Sequence, residues 1–364
     1  MFRHLALTST TQPLSRPVPG EAGDAYLDHV GYGKAVRRAV SRRFAFWLSG
    51  QDRFRLDRIP AGVRRILWIY FGENQIGDAL MDLAPRSLLS EAGLQVDLFT
   101  SPLVATLFEG DPWLGRVGSD ASDFTGIDYD CAIVLSNKSR PLQPKIRHFL
   151  GLPWVSLHGY FTGPNFHRGA FGAQRLADLL GQSINDDEMA RHARQKLGPP
   201  SEAKAGRAAG LRDAVALVVG GVRGDRVYEH WAPVIRELTA AGHGRFALVG
   251  SDNGRRQAEA LIGSLPQADI ADFTGRLTLA QTRAVLNATP VVACADGGLM
   301  HLALTVRTAV APLFTAQIAP EWRLPPSVTA NALRARADGV SSIAPQEVSR
   351  MIVRLLATAP ATCP

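Results

Sequence analysis

The sequence contains little cysteine and no long apolar run, and each absence excludes a class of protein. Its three cysteines, Cys131, Cys294 and Cys363, are too few and too scattered for a disulfide framework, and no Cys-x-x-Cys spacing exists to bind a metal. No apolar stretch approaches the ~20 residues that span a bilayer. The first residues lack the apolar core of a signal peptide, so the sequence predicts a protein of the reducing cytoplasm.

The rest of the composition is that of a globular protein with an excess of positive charge. Hydrophobic residues make up 46% of the chain and charged residues 20%, values that argue against disorder. The formal net charge of +7 favours an anionic partner, such as phosphate groups, an acidic membrane face or nucleic acid. At 364 residues the chain is long for a single hydrophobic core, so two domains are expected.

Short buried strands alternate with helices through most of the chain. The apolar run at 66–71 predicts a strand buried on both faces, and similar runs recur along the sequence. Further strands are predicted at 96–100, 129–135, 154–157, 214–219, 246–249, 291–293 and 309–314. Strands that alternate with helices form βαβ units and parallel sheets. We therefore expect an α/β protein with two Rossmann-like parallel-sheet domains facing a cleft, a common place for a ligand.

Composition also predicts where the domains begin and end. Residues 183–212 are polar, with two prolines in the middle, and are the predicted linker. The expected divisions are an N-terminal extension at 1–62, an N-terminal domain at 63–200, a C-terminal domain at 201–340, and a C-terminal helix and tail at 341–364.

The extension contains a basic amphipathic helix, predicted at 34–48. Its apolar side holds Val36, Val40, Phe44 and Trp47, and arginines occupy the other sides. That apolar side packs on the neighbouring domain, as in most soluble proteins, or it lies on an anionic membrane. The sequence leaves both interpretations open.

A glycine-containing loop, GENQIGD at 72–78, joins the first predicted strand to a predicted helix at 80–92. In an open parallel sheet, ligands bind at the carboxyl ends of the strands, where this loop lies. Gly77 frees the backbone, and Asp78 falls near the start of the helix, with Glu73 and Asp82 as neighbouring carboxylates. Asp78 is either a helix cap or a catalytic base, and spacing alone favours neither.

A second motif, CADGGLMHLA at 294–303, follows the predicted strand at 291–293 and opens a helix. Two glycines at such a position expose backbone N–H groups that can bind a diphosphate. His301 falls about one turn into the helix, within reach of the same anion. The combination of aspartate, glycines and histidine predicts a phosphate site more strongly than a glycine pair would.

Two basic segments complete the candidate set. VGGVRGDR at 219–226 combines glycines with arginines that suit phosphate, or it is a solvated surface loop. It lacks the full Gly-x-Gly-x-x-Gly pattern, so it argues only weakly for a dinucleotide. NKSR at 137–140 and KIRH at 145–148 follow the strand at 129–135 and could hold an anionic acceptor, although surface cations usually bind nothing specific.

Taken together, three segments resemble the bacterial heptosyltransferases, glycosyltransferase family 9. They are Gly77-Asp78 after the first strand, TGRLTL at 274–279, and DGGLMH at 296–301. The resemblance covers roughly 65–325 and leaves the extension outside. It implies the GT-B fold and inverting transfer of a sugar, commonly heptose from ADP-heptose, to the lipopolysaccharide core.

The resemblance also implies roles for particular residues. Asp78 corresponds to the general base that deprotonates the acceptor hydroxyl. The donor-diphosphate segment of the family corresponds to Asp296, Gly297, Gly298 and His301, and a residue beside the adenine corresponds to Leu277. The glycines and arginines of the 219–226 loop add Gly221, Arg223 and Arg226 as donor candidates, and either arginine could replace the phosphate-binding lysine that the chain lacks. The candidate acceptor residues come from the basic segment itself and not from the resemblance; they are Asn137, Lys138 and Arg140. No metal is expected, and no cofactor either, since the nucleotide-sugar is a substrate. No nucleic-acid partner is expected. A lipopolysaccharide acceptor suggests that the protein makes peripheral contact with the cytoplasmic face of the inner membrane.

Three departures from the family pattern leave the donor's identity open. Gly297 stands where the family usually has threonine or serine, and Glu229 stands where a lysine would hold phosphate. Arg256 lies near the position of an acidic residue beside the ribose, a role that Asp252 could take instead. A transferase using another nucleotide-sugar and a non-catalytic GT-B binding protein are therefore alternatives. A nicotinamide dehydrogenase is a weaker one, suggested only by the glycines at 220–221.

Overall fold

The structure, a computed structural model, describes residue 4 and residues 7–72, 75–163, 165–199 and 210–358. The chain divides into two compact units, unit 1 (Met1–Gly198) and unit 2 (Pro199–Pro364). Each unit contains one parallel sheet with helices packed against it. Among the residues described, no helix is both long enough and apolar enough to cross a membrane.

Unit 1 is built on a five-stranded sheet. Its strands are β1 (Arg65–Tyr70), β2 (Gln95–Thr100), β3 (Val117–Gly118), β4 (Cys131–Val134) and β5 (Trp154–Ser156). They are parallel and lie in the order β3-β2-β1-β4-β5. Ile66 at the centre pairs with Val96 on one side and Cys131 on the other. β1 is buried along nearly its whole length, which explains its continuous apolar sequence.

The helices of unit 1 differ from the prediction in two places. They are α1 (Gly23–Val30), α2 (Tyr32–Leu48), α3 (Ile76–Asp82), α4 (Arg86–Glu91), α5 (Pro102–Phe108), α6 (Ser139–His148), α7 (Arg168–Leu180) and α8 (Asp186–Ala193). The single helix predicted at 80–92 is two helices, α3 and α4, because Pro85 interrupts it. The predicted linker contains α8, whose capping box joins Asn185 to Glu188.

The extension helix α2 belongs to unit 1 and packs against the rest of it through residues outside the apolar stripe. Its buried residues are Ala35, Ala39 and Phe46. The Phe46 ring meets Trp154 edge-on at 5.5 Å, inside the core beneath the sheet. Of the apolar stripe for which the sequence left domain packing and membrane contact open, Val36 is partly buried, and Val40, Phe44 and Trp47 are exposed. Phe46, about a third of a turn round the helix from that stripe, is the large side chain that packs into the core.

Unit 2 is built on a six-stranded sheet. Its strands are β6 (Val215–Val218), β7 (Arg245–Val249), β8 (Asp269–Asp272), β9 (Val291–Ala295), β10 (Ala309–Phe314) and β11 (Leu333–Arg334). They are parallel and lie in the order β11-β10-β9-β6-β7-β8, the Rossmann arrangement. β8 and β11, like β3 of unit 1, were not predicted, because they are short or polar and only partly buried.

The helices of unit 2 follow the predicted alternation. They are α9 (Trp231–Ala240), α10 (Arg255–Ser264), α11 (Leu279–Ala288), α12 (Gly298–Ala303), α13 (Pro326–Thr329) and α14 (Pro345–Thr358). The terminal helix α14 buries Val348, Ile352 and Leu355 in the same core as the sheet of unit 2. The C-terminal helix therefore belongs to the packed core of this unit.

Candidate functional site

Three charged side chains meet just after β1 in unit 1. α3 follows Gln75, so Asp78 lies in its first turn and is not its N-cap residue. Asp78 Oδ1 lies 3.1 Å from Nη1 of Arg168, and Arg168 Nε donates to Asp82 Oδ1 at 2.8 Å. The Asp78 side chain is 19% exposed, whereas that of Asp82 is 0% exposed. Arg168 thus joins a carboxylate that faces solvent to one that is sealed from it.

Asp82 is surrounded by polar groups that keep it in place. The Tyr70 hydroxyl donates to its Oδ2 at 3.1 Å, and His158 Nε2 lies 3.8 Å from its Oδ1. Burial, with the nearby Arg168, holds the pKa of His158 well below its usual range. Burial also raises the pKa of Tyr70 well above its usual range. Both are neutral near pH 7, so the positive charge opposite Asp82 is that of Arg168.

Sequence reasoning selected Asp78 and noted Asp82 but missed Arg168, Tyr70 and His158. Arg168 stands 86 positions after Asp82 in the sequence, at the start of α7. An isolated arginine at a helix start carries no local signal. Only the packing of α7 against α3 brings it to the two carboxylates.

A cavity of about 570 Å³ opens beside this cluster, at the carboxyl ends of β1 and β2. Arg140, Arg147 and His148 from α6 contribute to its wall, and Tyr70 at the end of β1 also lines it. Its remaining lining is Phe71, Gly72, Phe99, Ser101, Val104, Ser119, Gln143 and Pro144. The cavity is therefore cationic on one side, and Tyr70 links it to the Asp82 carboxylate.

The predicted acceptor residues occupy different surroundings. Arg140 lines the cavity, Lys138 is the exposed N-cap residue of α6, and Asn137 is buried at the end of the preceding loop. Lys145, from the second basic segment, is buried and donates to Gln51 Oε1 at 2.5 Å. Burial lowers the pKa of Lys145 to about 8. Lys145 therefore ties the extension to unit 1 and does not face the cavity.

In unit 2, Asp296 lies between the end of β9 and the start of α12 and is buried. Its Oδ2 is 3.0 Å from Nη1 of Arg226, and its Oδ1 is 3.8 Å from Nε2 of His301. Gly297 has extended backbone, φ 178°, and a Cβ there would have its nearest neighbour at 3.8 Å. Nothing in the backbone therefore requires glycine where the family has threonine or serine.

The loops after β6 and β7 approach each other closely, next to this segment. Gly220 has φ +73°, and a Cβ there would lie 2.5 Å from Gly254, so only glycine fits. Its N–H donates to Gln257 Oε1 at 2.7 Å. Gly221 continues the first loop, and Leu277, half-buried, precedes α11 after β8. The carboxyl ends of parallel strands thus bring the predicted donor residues to one edge of the sheet.

The two arginines proposed to replace the missing lysine are not equivalent. Arg223 is 60% exposed and pairs with Asp225 at 2.8 Å. Arg226 is 23% exposed, pairs with Asp296, and its buried Nε has no hydrogen-bond partner within the described part of the chain. Glu229, at the lysine position, is exposed. Arg226 is therefore the less exposed of the two arginines, held against the buried Asp296 with its Nε unpartnered within the described residues.

The other departures from the family pattern lie on the surface. Arg256 is exposed in the first turn of α10. Asp252, its suggested stand-in, is exposed and pairs with Arg255 at 2.8 Å. Arg255 also donates to the carbonyl oxygen of Gly275 at 2.7 Å, which joins the loops after β7 and β8.

Comparison with known proteins gives a family match and structural neighbours. Residues 174–347 match the sequence model of Glycosyltransferase family 9 (heptosyltransferase). A glycosyl transferase family 9 structure from Veillonella parvula is 15% identical, with a TM-score of 0.68 over 83% of this chain and 100% of the other. The comparison with curated proteins found no match.

Two Escherichia coli structures are also similar. ADP-heptose lipopolysaccharide heptosyltransferase II is 17% identical, with a TM-score of 0.59 over 81% of this chain and 99% of the other. Heptosyltransferase WaaC, solved with ADP, is 16% identical, with a TM-score of 0.57 over 80% and 99%. At these identities the likeness shows the fold. The family match covers nearly all of unit 2 and begins after Asp78. Residues 174–347 are therefore similar to a glycosyltransferase family 9 domain, and the two parallel sheets match the GT-B fold.

Proposed function

We propose that this glycosyltransferase moves a sugar, heptose by kinship, from an ADP-linked donor to an anionic glycan or glycolipid with inversion. The observation that carries the proposal is that the partly exposed carboxylate of Asp78 and a cationic cavity both lie at the carboxyl edge of β1. A base and an anion-binding wall at one sheet edge are what an acceptor hydroxyl on a phosphorylated glycan requires. Such an acceptor is found at the cytoplasmic face of a membrane, where we propose that the protein acts.

Support for a diphosphate donor comes from unit 2. The backbone N–H groups at Gly297 and Gly298, the ring of His301 and the guanidinium of Arg226 cluster around the buried Asp296. In this proposal Asp296 orients Arg226, and Arg226 and the N–H groups bind phosphate oxygens. WaaC and heptosyltransferase II, which share the fold, are described with ADP and as acting on ADP-heptose, respectively.

The proposed reaction is a single displacement. The acceptor oxygen attacks the anomeric carbon of the donor sugar while Asp78 takes its proton. The bond from that carbon to the diphosphate oxygen breaks, and the leaving diphosphate keeps the electron pair. The cations and N–H groups of unit 2 stabilise the charge that develops on it. One base is sufficient for inversion, and we propose that neither a metal nor a cofactor takes part.

A donor other than an ADP-sugar is the alternative that specific observations favour. Glu229 replaces a phosphate-binding lysine, and Gly297 lacks a hydroxyl although the backbone would accept one. The same departures suit a protein that binds a nucleotide-sugar without transferring the sugar.

A panel of nucleotides, three diphosphates and one monophosphate, separates these possibilities. We expect ADP to raise the melting temperature more than UDP, GDP or CMP does, because a ligand at about a hundred times its Kd stabilises by ~2.7 kcal/mol. Release of ADP from ADP-heptose in the presence of truncated lipopolysaccharide would then demonstrate transfer. Stabilisation by a nucleotide with another base would change the assignment of the donor. If nucleotide-sugars bind but no nucleotide is ever released, the proposal that the protein is a transferase would be rejected.

Arg226 and Arg223 provide a matched pair for the phosphate contact. We expect Arg226→Met to weaken ADP binding by about tenfold to a hundredfold, the value of a hydrogen bond to a charged group. Arg223 is on the same loop but is exposed and paired with Asp225, so Arg223→Met should change the Kd for ADP less than about threefold. Isothermal titration measures both. Equal losses from the two variants would contradict the assignment, and Arg226→Lys tests the contact if Arg226→Met fails to fold.

The cavity arginines should govern the acceptor. We expect Arg147→Ala, alone or with Arg140→Ala, to raise the KM for truncated lipopolysaccharide about tenfold while leaving the Kd for ADP unchanged, because each removes a cation from the cavity wall. Arg64→Ala is the control, since Arg64 is exposed at the amino end of β1, at the opposite edge of the sheet. Steady-state kinetics that gave the three variants the same KM would exclude this cavity as the acceptor site.

A further inference from the structure

Helix α2 has two apolar faces, and only one of them is covered. Ala35, Ala39 and Phe46 face unit 1 and are buried. Arg43 lies on the edge of this covered side, with its guanidinium 4.3 Å from the centre of the Tyr160 ring. Lys145 and Gln51 secure the segment that follows the helix. The helix is therefore held firmly in one orientation on the domain.

The uncovered apolar face of α2 carries large apolar side chains that are exposed to solvent. Phe44 is 60% exposed, Trp47 65% and Leu48 70%, and Val40 lies one turn before them. The Phe44 and Trp47 rings are neighbours, with centroids 5.9 Å apart. Single exposed apolar residues are ordinary, but a contiguous patch of this kind marks a surface that meets another apolar body.

The charges around the patch indicate what that body is. From residue 29 to residue 51 the sequence contains no aspartate or glutamate. The cations of the helix are Lys34, Arg37, Arg38, Arg42 and Arg43. A second copy of α2 would bring these cations against one another, which like-charge repulsion opposes. An anionic lipid headgroup layer pairs with them, while tryptophan and phenylalanine are the side chains that insert at the boundary between headgroups and acyl chains.

We propose that α2 is a membrane-docking helix that lays Val40, Phe44, Trp47 and Leu48 into the surface of an anionic bilayer. Lys34, Arg37 and Arg38, exposed around this patch, contact the lipid phosphates. The docking element lies in the N-terminal extension, outside the matched family domain. It does not depend on transfer activity, because lipid binding requires neither the donor nor Asp78.

Vesicle co-sedimentation of the full chain tests the proposal. We expect binding to vesicles of equal phosphatidylglycerol and phosphatidylcholine, weaker binding at high salt, and little binding to phosphatidylcholine alone. The double variant Phe44→Glu/Trp47→Glu should lower the partition coefficient about tenfold or more, and Arg37→Gln/Arg38→Gln should lower it on the anionic vesicles. Ile262→Glu, which alters an exposed apolar residue on α10 of unit 2, is the matched control and should bind like the wild type.

A conservative variant keeps the test valid if the glutamates impair folding. Brominated phosphatidylglycerol should quench part of the wild-type tryptophan fluorescence, and Trp47→Phe should bind vesicles but lose that part. Three results would overturn the proposal. In the first, the wild type fails to bind anionic vesicles. In the second, the folded glutamate variant binds them as well as the wild type does. In the third, the wild type forms a dimer and has no lipid affinity, and the glutamate variant is a monomer.

Discussion

Replacing Asp78 by asparagine should abolish most sugar transfer while leaving the protein folded and its donor site intact. Asparagine keeps an oxygen that can accept from Arg168, 3.1 Å away, but it cannot take a proton. Loss of a general base lowers kcat by about 10²–10⁴-fold. The free energy of unfolding should fall by only ~0.3–1 kcal/mol, the stabilisation that a carboxylate gives in the first turn of a helix. Asp78 lies in unit 1 and the predicted donor residues in unit 2, so the Kd for the nucleotide should stay the same.

Asp187 offers a control that isolates the chemical role. It also lies in the first turn of a helix, α8, and it is exposed. Asp187→Asn removes the same charge from the first turn of a helix, one position nearer the N-cap than Asp78. It should therefore resemble Asp78→Asn in thermal stability and the wild type in kcat. If Asp78→Asn retained activity within about threefold of the wild type, the general-base assignment would have to be abandoned.

Replacing Arg168 by methionine should destabilise unit 1 more than any surface change. Asp82 has no exposed side-chain area, and Arg168 is the cation opposite it, since His158 and Tyr70 are neutral there. Removing one partner of a buried ion pair leaves an uncompensated charge and costs ~3–5 kcal/mol. Urea unfolding followed by circular dichroism measures the loss of free energy.

A second arginine–carboxylate pair in unit 1 tests whether burial of the pair is the reason for the large loss of stability. Arg191 donates to Glu91 at 2.7 and 3.0 Å, but both side chains are exposed. Arg191→Met should therefore cost no more than ~1 kcal/mol, although the hydrogen-bond geometry is as good. Adding Asp82→Asn to Arg168→Met should recover part of the loss, because the neutral amide no longer needs a cation. A double variant less stable than Arg168→Met would show that the arginine acts through packing and not through charge.

The strands and the glycine-containing turn after β9 could be predicted because their signals are local. The run at 66–71 predicts a doubly buried strand, and β1 is buried on both faces. The glycines at 297 and 298 come one residue after the end of β9, so a strand-to-helix turn was evident from the sequence of this segment alone. The short edge strands β3, β8 and β11 escaped prediction because their residues are few, polar or only partly buried. Periodicity has nothing to detect in such segments.

Pairings between distant positions depended on the folded chain. No spacing rule connects Arg168 with Asp78, or Arg226 with Asp296; strand order and helix packing bring them together. The choice of face on α2 is of the same kind. Its sequence offers one strong apolar stripe, yet the helix docks through Phe46, because the core beside Trp154 accommodates that ring.

The amino-acid sequence alone was sufficient for the α/β class, the paired parallel sheets and the carboxyl-edge position of Asp78 and Asp296. All three follow from the periodicity of buried strands and from where loops leave a parallel sheet. The tertiary structure decided which charges meet and which apolar side chains remain in solvent. Those outcomes depend on contacts between elements far apart in the chain, and a buried charge or an exposed tryptophan is defined only once its neighbours are in place.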